Sequence, residues 1–385
     1  MASPLVQNKV FKVLDKEVYF DNALEAQVYA KGNPGTVIVR SDDADNSSHT
    51  YKKVEKEKKL EKTPAMIVEY LNQHVIAQDE AKRELALSMY YHSLTKTYRT
   101  AVPGSKPMML IGPTGSGKTF LVQKVCEYMK IMFIHVDVST MVPEGIKGYT
   151  ITHLIEDILK RSVYNLYTAE KCVIFLDEVD KLFTNDEDGS DFGSEVAHQL
   201  LRFIEGQTFK LSNEDREKVM LAGPITSTMR TNNMFFILGG AFQWIMDHKN
   251  QQGASIGFTQ EDSTKNATIT LEDLYDNNIP KELLGRMGSI VNLKKLNEDD
   301  YFKILTSSES SPLNDFIKQI KFHGDQVEIT QDTLHEVAKA AARSELGVRS
   351  LHQILKKMFQ EALFATAEGM YRKHTITYRD ASKGI

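Results

Sequence analysis

The sequence predicts an α/β protein built around a parallel sheet with helices on both faces. Two apolar runs, Met108–Ile111 and residues 171–176, are continuous rather than alternating, which suits strands buried on both faces of such a sheet. Helical and strand patterns alternate between residues 63 and 290, as is typical of parallel α/β sheets. From about Leu296 the pattern becomes mostly helical, so a small α-helical domain is expected after the sheet.

The N-terminal region has a different pattern, with short strand-like segments and no helical periodicity. Turn residues at positions 32–35 separate the last two of these segments. The pattern predicts a short β-rich module over residues 1–50, with strands at residues 10–14, 17–20, 26–30 and 36–40. A Lys/Glu-rich linker is expected at residues 51–62.

The rest of the chain is expected to form a large α/β domain at residues 63–290 and a small helical domain at residues 291–385. In the small domain, apolar residues recur with the helical period over residues 332–340 and 348–355. The sequence contains no internal repeats.

A phosphate-binding loop of the form G-x-x-x-x-G-K-[ST] follows the first apolar run. The loop consists of Gly112, Pro113, Thr114, Gly115, Ser116, Gly117, Lys118 and Thr119, and a helical pattern follows it. Its glycines allow backbone N–H groups to surround a phosphate at the positive end of that helix. Lys118 can reach the β- and γ-phosphates and the Thr119 hydroxyl can hold Mg²⁺, so the loop predicts a nucleotide site.

Two carboxylates end the second apolar run and indicate a hydrolase. Ligands of parallel α/β sheets bind at the carboxyl ends of the strands, so Asp177 and Glu178 are expected beside the nucleotide. Asp177 would hold Mg²⁺, and Glu178 would orient and deprotonate the attacking water. The alternative is a pair of solvated carboxylates at a strand end.

Composition argues against several classes of protein. The 385 residues carry a net charge of -5, which gives no support for a nucleic-acid partner. No apolar stretch is long enough to span a membrane, and residues 1–9 do not form a secretory signal. Cys126 and Cys172 lack metal-ligand spacing and suit small core residues, which fits a cytoplasmic location. The 11 histidines form no ligand motif, so Mg²⁺ is the only metal expected.

Seven further segments occur in a characteristic order. They are TP (63–64), HVIAQ (74–78), FLDEVDK (175–181), LLRFIEG (200–206), FILGGAF (236–242), IPKELLGRM (279–287) and GVRSL (347–351). Together with the phosphate loop, they resemble ClpX, an AAA+ unfoldase of the Hsp100 (Clp) group that has HslU as a near relative. The resemblance covers about residues 62–370 and excludes the N-terminal region, where ClpX carries a four-cysteine zinc module that this chain lacks.

The resemblance implies roles for four residues outside the phosphate loop. Val75 and Ile76 would line the adenine pocket, and the following residue is Ala77 where the family has Gly. Arg286 would be an arginine finger that reaches the γ-phosphate of the neighbouring subunit. Arg349 would be the sensor arginine that contacts nucleotide in its own subunit. Because a finger acting in trans requires a ring, the resemblance implies a homohexamer that uses ATP and Mg²⁺ and acts on protein substrates.

The pore loop departs from the family pattern. ClpX has Gly-Tyr-Val-Gly, in which the aromatic side chain grips substrate, whereas the aligned residues 145–148 here read Gly-Ile-Lys-Gly. Either Ile146 grips more weakly, or Tyr149 takes over the role through a shifted loop. Lys147 would add positive charge to the channel.

Two more family features are missing. The Arg-Lys-His pore-entrance loop has no match within residues 208–231. Residues 185–195 contain no basic residue, although ClpX has an additional arginine there. These departures concern the choice and grip of substrate rather than ATP hydrolysis.

A tripeptide with two large apolar residues, Ile256-Gly257-Phe258, is expected within a polar loop at residues 250–265. In ClpX this tripeptide inserts into pockets on the ClpP peptidase ring. Apolar side chains in a polar loop suit an anchor in a partner's pocket. The alternative is a loop that folds back onto its own core.

The sequence therefore predicts a ClpX-like, ATP-dependent protein unfoldase that threads polypeptide through a hexameric pore and delivers it to a ClpP-type protease. Three alternatives are open: a remodelling chaperone without a protease, a nucleic-acid motor or clamp loader, and an assembly scaffold that has lost threading. The acidic charge and the Ile256–Phe258 tripeptide argue against the nucleic-acid motor. Ile146 and Lys147 are the reason to consider the scaffold.

Overall fold

The computed structural model describes residues 11–13, 19–20, 38–40, 62–97, 106–184, 192–222, 226–255, 268–277, 279–344, 346–369 and 373–378. The chain divides into two compact units, Met1–Lys59 and Leu60–Ile385, and each is described by itself. In the first unit, three short strands form an antiparallel sheet in the order β2-β1-β3: β1 (Phe11–Val13), β2 (Tyr19–Phe20) and β3 (Ile38–Arg40). They fall within three of the four predicted strand segments, and residues 26–30 lie outside the described residues.

The second unit contains a five-stranded sheet in which all neighbouring strands are parallel. The next strands along the chain are β4 (Met108–Ile111), β5 (Phe133–Asp137), β6 (Val173–Asp177), β7 (Thr208–Lys210), β8 (Thr228–Arg230), β9 (Phe235–Gly240) and β10 (Ser289–Asn292). The sheet has the order β10-β4-β9-β6-β5, while β7 and β8 form a separate antiparallel pair. The predicted α/β class is therefore confirmed.

The helices of this part of the chain cover both faces of the sheet. They are α1 (Pro64–His74), α2 (Asp79–Thr97), α3 (Lys118–Met129), α4 (Ile151–Arg161), α5 (Leu166–Ala169), α6 (Phe192–Gly206), α7 (Asn213–Ala222), α8 (Gln243–Ser255), α9 (Leu271–Asp276) and α10 (Lys281–Leu284). Helices α1, α2 and α3 contribute buried residues to the core on one face, and α4, α6 and α8 contribute to the core on the other.

Alternation within β4 explains why its sequence is apolar throughout. Met109 and Ile111 belong to one core, and Met108 and Leu110 belong to the core on the opposite face. All four residues are at most 2% exposed. Because neither face of the sheet is solvated at this strand, no polar position interrupts the run.

The C-terminal part is mostly helical, as predicted. It contains α11 (Glu298–Thr306), α12 (Pro312–Phe322), a strand β11 (Gln326–Ile329), α13 (Gln331–Arg343), α14 (Val348–Ala367) and a strand β12 (Lys373–Ile376) that pairs in parallel with β11. These helices have a core of their own. The helical patterns predicted at residues 332–340 and 348–355 lie within α13 and α14. Among the described helices, none combines the length and apolarity needed to cross a membrane.

Candidate functional site

A cleft of about 750 Å³ lies where the carboxyl ends of the central strands meet the C-terminal helices. The structure brings most of the predicted nucleotide-site residues together along its walls: Val75, Ile76, Thr114, Gly115, Ser116, Gly117, Lys118, Thr119, Asp177, Glu178 and Arg349. Gly112 and Pro113 begin the phosphate loop but do not line the cleft, and neither does Arg286. The site is thus built from the sheet, the segment after α1 and the N-terminus of α14.

The phosphate loop is anchored on both sides. The N–H of Gly112 donates to the carbonyl of Gly240, at the end of β9, at 3.1 Å. On the other side, Gly115 has a φ of +74°, and a Cβ there would lie only 2.5 Å from the carbonyl oxygen of Leu346. Gly115 therefore permits both the left-handed backbone and the close approach of the segment that precedes α14.

Lys118 is buried and bonded to the loop itself. Its Nζ donates to the carbonyl oxygens of Gly112 at 2.6 Å and Pro113 at 3.3 Å. Burial lowers the pKa of Lys118, although the nearby carboxylates of Asp177 and Asp180 oppose that shift. Among the described residues, its hydrogen-bond acceptors are these two neutral carbonyls, and an ammonium group so placed in a partly desolvated site is suited to pairing with a phosphate.

Ser116 provides a separate indication that the loop is built for a ligand. Its Oγ is the buried side-chain atom that has no hydrogen-bond partner among the residues the structure describes. A buried hydroxyl without a partner is unfavourable, and native structures rarely retain one without a reason. A phosphate oxygen in the loop would accept this hydrogen bond, so the residues present fit a nucleoside polyphosphate.

Asp177 is held beside Thr119 at the end of β6. The Thr119 hydroxyl donates to Asp177 Oδ2 at 2.9 Å, and the Glu178 N–H donates to Asp177 Oδ1 at 3.0 Å. Burial alone would raise the pKa of Asp177, but hydrogen bonds from His135, Thr119 and the Glu178 backbone outweigh it and lower the pKa. The carboxylate therefore stays ionised near neutral pH, as a divalent-cation ligand must be.

The two oxygen-bearing side chains are not a complete metal site. In the described part of the chain, no cluster of three or more His, Cys, Asp or Glu residues is placed to hold a metal ion. Mg²⁺ prefers six oxygen ligands and commonly takes several of them from substrate phosphates and water. Thr119 and Asp177 thus fit Mg²⁺ only if a bound nucleotide supplies further oxygens.

Glu178 lies at the cleft in an unusual backbone conformation. Its φ of +58° is left-handed, and a short 3₁₀ turn, Val179–Phe183, follows it. The residue is exposed and lines the cleft, while its neighbour Asp180 is buried and accepts the Phe242 N–H at 3.1 Å. Such conformations are unfavourable for residues other than Gly, and they occur often at functional sites.

The C-terminal helices close the cleft through direct contacts. The N–H of Val348, the first residue of α14, donates to the carbonyl of Gly115 at 3.2 Å. Near the expected adenine pocket, a hydrogen bond of 2.8 Å joins His74 Nδ1 to Ser310 Oγ, and the Ser308 hydroxyl donates to the His74 carbonyl at 2.7 Å. The helical part therefore reaches both ends of the cleft.

Sequence reasoning did not predict His135. Its Nε2 lies 3.4 Å from Asp177 Oδ2, and its ring stacks on Phe175 with a centroid distance of 5.7 Å. His135 lies on β5, two residues before Asp137, which pairs in register with Asp177, and this proximity becomes visible only in the folded sheet. His74, Ser308 and Ser310 were also missed, because residues 236 positions apart in sequence show no local pattern.

Arg286 lies outside the cleft. Its Nη2 is 2.6 Å from Glu205 Oε1, and 47% of its side chain is exposed. The structure therefore does not bring Arg286 to the nucleotide site of its own chain.

The predicted pore-loop residues lie on an exposed turn between β5 and α4. Ile146 is 40% exposed and Lys147 is also exposed. Tyr149 instead packs against the large core, and its hydroxyl donates to Asp157 Oδ2 at 3.0 Å. Burial and this hydrogen bond raise the pKa of Tyr149.

The tripeptide Ile256-Gly257-Phe258 lies outside the described residues. The polar loop predicted from residue 250 is wrong at its start, because α8 continues to Ser255. Polar residues without proline are compatible with a helix, so composition alone did not separate helix from loop.

The parallel sheet, the phosphate loop and the carboxylate pair define a P-loop nucleotide-binding ATPase. In agreement with this class, the sequence model of the ATPase family associated with various cellular activities (AAA) matches residues 108–243 of this chain. This range extends from β4, through the phosphate loop and the carboxylates, to the start of α8.

Curated relatives extend the similarity to most of the chain. The ATP-dependent Clp protease ATP-binding subunit ClpX 2 of Wolinella succinogenes is 28% identical over 309 residues, which are 78% of this chain and 77% of the relative. The ClpX subunit of Treponema denticola is 28% identical over 334 residues, 82% of this chain and 80% of the relative. That of Borrelia duttonii is 26% identical over 341 residues, 83% of this chain and 78% of the relative. The chain is thus similar to ClpX subunits over about four fifths of its length, and the AAA match covers the part that contains the phosphate loop and the carboxylates.

Proposed function

We propose that this chain is an ATP-dependent protein unfoldase of the ClpX type, which acts in the cytoplasm as a homohexamer. It would use Mg-ATP to draw polypeptide through an axial pore and would deliver the polypeptide to a ClpP-type peptidase. Residues 63–290 would form the large ATPase domain and residues 291–385 the small lid domain. The names of the relatives, which are ATP-binding subunits of Clp proteases, support this proposal.

The arrangement of Thr119, Asp177 and Glu178 is the observation that carries the ATPase part of the proposal. Thr119 and Asp177 are already hydrogen-bonded at 2.9 Å, so one cation can contact both oxygens with little rearrangement. Bound Mg²⁺ would neutralise charge on the transferring phosphoryl group. Glu178, the next residue and exposed to the cleft, would accept the proton of the attacking water.

Lys118 would exchange its bonds to the loop carbonyls for bonds to the phosphates. Both present bonds go to neutral acceptors, and a phosphate oxygen is a stronger partner for an ammonium group. Arg349, at the start of α14, would add a second cation from the lid domain. Val75 and Ile76 would contact the adenine ring.

A ring of subunits would bring Arg286 to a nucleotide. Arg286 does not line the cleft of its own chain, and nearly half of its side chain is exposed. In a hexamer, the guanidinium would stabilise charge on the γ-phosphate of the adjacent subunit. Hydrolysis would then depend on assembly.

Ile146 is the better candidate for substrate contact in the pore. It is exposed on its turn, whereas Tyr149 is partly buried and bonded to Asp157. Lys147 beside it would place one positive charge per subunit in the channel. A pore of this kind would suit acidic or flexible polypeptides.

A remodelling chaperone without a protease is the second candidate. The weaker grip expected from Ile146 favours it, because complete unfolding before degradation needs sustained pulling. In the first candidate, Ile256, Gly257 and Phe258 would dock into the peptidase ring; in the second they would have another role.

A capture experiment distinguishes the two candidates. A tagged Glu178→Gln variant should bind ATP and hold it, so that substrates and partners stay attached through purification. Lys118→Ala, which should not retain ATP, is the matched control. Recovery of a ClpP-type peptidase only with Glu178→Gln supports the protease-linked function, and recovery of substrates alone supports the remodelling chaperone. If neither variant retains any protein in the presence of ATP, the unfoldase proposal fails.

A further inference from the structure

Gln78 occupies a buried position between the expected adenine pocket and α2. It follows Ala77, and both residues have left-handed backbones, with φ values of +57° and +60°. Gln78 is only 5% exposed, which is unusual for a carboxamide side chain with two N–H donors and an acceptor oxygen. Two successive residues with positive φ are unfavourable outside glycine, so other contacts must hold this segment in place.

The carboxamide of Gln78 joins two distant parts of the chain. Its Oε1 accepts the N–H of Lys294 at 2.9 Å, and its Nε2 donates to the carbonyl of the same residue at 2.8 Å. The Nε2 also donates to the carbonyl of Ser116 at 3.3 Å. Every donor and the acceptor oxygen of the amide are therefore engaged, and one end of this connection is the phosphate loop.

Lys294 is placed where the sheet ends and the helical domain begins. The N–H of the preceding residue, Leu293, donates to the carbonyl of Ile111 at 2.6 Å, so Leu293 still belongs to the edge of the sheet. Two residues later, Leu296 is buried in the core of the C-terminal helices. Residues 293–296, named here the hinge segment, therefore carry the chain from the sheet to the core of the C-terminal helices.

We propose that Gln78 is a positioning residue that couples the phosphate loop to the hinge segment. Nucleotide in the loop fixes the position of the Ser116 carbonyl, and Gln78, which is bonded to it, then fixes the position of Lys294. The orientation of the lid domain therefore depends on the state of the nucleotide. The 3.3 Å bond to Ser116 is the longest of the three, so we expect this bond to change when nucleotide binds. This inference rests on the proposed nucleotide site.

Hydrogen–deuterium exchange of the full-length protein tests the coupling, with ADP as the probe. In the wild type, ADP should slow exchange both at residues 112–119 and at the hinge segment. Gln78→Glu keeps the side-chain length but turns a carboxylate towards the carbonyls of Ser116 and Lys294. In this variant ADP should protect the phosphate loop as before, while hinge protection falls by about fourfold or more.

Gln73→Glu is the matched control, since it makes the same change of charge at an exposed side chain in α1, five residues earlier in the sequence. The control should behave as the wild type. Steady-state kinetics give a second measurement: Gln78→Glu should lower kcat for ATP by about tenfold and leave KM within about twofold. Loss of a merely structural residue would not lower kcat while leaving KM nearly unchanged.

Gln78→Met repeats the test without a new charge, in case the carboxylate variant does not fold. Unchanged hinge protection in both Gln78 variants overturns the proposal. Equal loss of protection at loop and hinge also overturns it, because Gln78 would then only support nucleotide binding. If ADP slows exchange at neither segment in the wild type, the proposed nucleotide site is wrong.

Discussion

Arg286 and Glu205 form an ion pair on the outside of the nucleotide cleft, with Nη2 and Oε1 2.6 Å apart. Both side chains are more than a third exposed, at 47% and 36%. Ion pairs with this exposure contribute little to stability, so the guanidinium can exchange its partner at small cost. A phosphate of a neighbouring subunit would be a stronger partner than one solvated carboxylate.

Replacement of Arg286 tests this exchange of partners. Arg286→Ala should lower kcat for ATP hydrolysis by about a thousandfold or more and leave nucleotide affinity nearly unchanged, because the finger acts on the transition state. Glu205→Gln, the control, removes the resting partner and should retain hydrolysis. Fluorescent ADP titration and phosphate release measure the two quantities. Normal ATP turnover in Arg286→Ala would show that Arg286 is not an arginine finger.

Mixed rings test whether Arg286 acts on the adjacent subunit. Arg286→Ala and Glu178→Gln subunits should each be inactive alone. When they are mixed, some interfaces combine an intact arginine with an intact carboxylate, and part of the activity should return. No recovery at any mixing ratio would contradict action in trans.

The pore turn makes a separate prediction. Ile146→Tyr combined with Lys147→Val should increase the rate at which stable substrate domains are unfolded, because Tyr offers more contact area than an aliphatic side chain. The loss of native fluorescence of a substrate protein measures that rate. A double variant that unfolds no faster than the parent would show that Ile146 is not the gripping residue.

Tyr149 provides the control for the pore. Because its ring packs on the core and its hydroxyl bonds Asp157, Tyr149→Phe should cost about 1 kcal/mol of folding stability and leave the unfolding rate of substrates unchanged. If Tyr149→Phe abolishes substrate unfolding at full stability, the grip belongs to Tyr149 instead.

The tripeptide at residues 256–258 is predicted to dock a peptidase. Replacing Ile256 and Phe258 by Ser preserves the length of the segment and should leave ATP hydrolysis intact, while ATP-dependent proteolysis with a ClpP-type partner is lost. Proteolysis and ATP hydrolysis are measured in the same reaction. Unchanged proteolysis would show that the docking assignment is wrong.

Gly347 should be sensitive to a single added methyl group. Its φ is +61°, and a Cβ there would lie 2.6 Å from Gly115 Cα in the phosphate loop. Gly347→Ala should therefore weaken the contact between Gly347 and Gly115 and lower the free energy of unfolding by about 1–3 kcal/mol, measured by chemical denaturation. Gly369→Ala is the control, because φ is +75° but no atom lies within 4 Å of the added Cβ. Equal effects of the two substitutions would show that the contact with Gly115 contributes nothing.

Local patterns were sufficient for the α/β class, for strands β4 and β6 and for the phosphate loop. The apolar run Met108–Ile111 is continuous, as expected of a strand buried on both faces of a sheet, and the phosphate-loop motif follows it directly. The helical C-terminal part was also predicted from its periodicity.

Contacts between distant segments could not be predicted in this way. Gln78 and Lys294 are 216 positions apart, and His74 and Ser310 are 236 apart. Their hydrogen bonds form only after the domains pack, so no local spacing indicates them. The burial of Tyr149 is similar, since an aromatic residue next to a glycine turn can point to either side of it.

The central claim is that the cleft hydrolyses ATP with Glu178 as the general base. The most direct test measures ATP binding and ATP turnover in the same preparation of wild type, Glu178→Gln and Lys118→Ala. We predict that Glu178→Gln binds ATP as the wild type does but has a kcat lower by at least about a hundredfold. Lys118→Ala should lose binding itself. Wild-type turnover in Glu178→Gln, or no ATP binding by the wild type, would contradict the account.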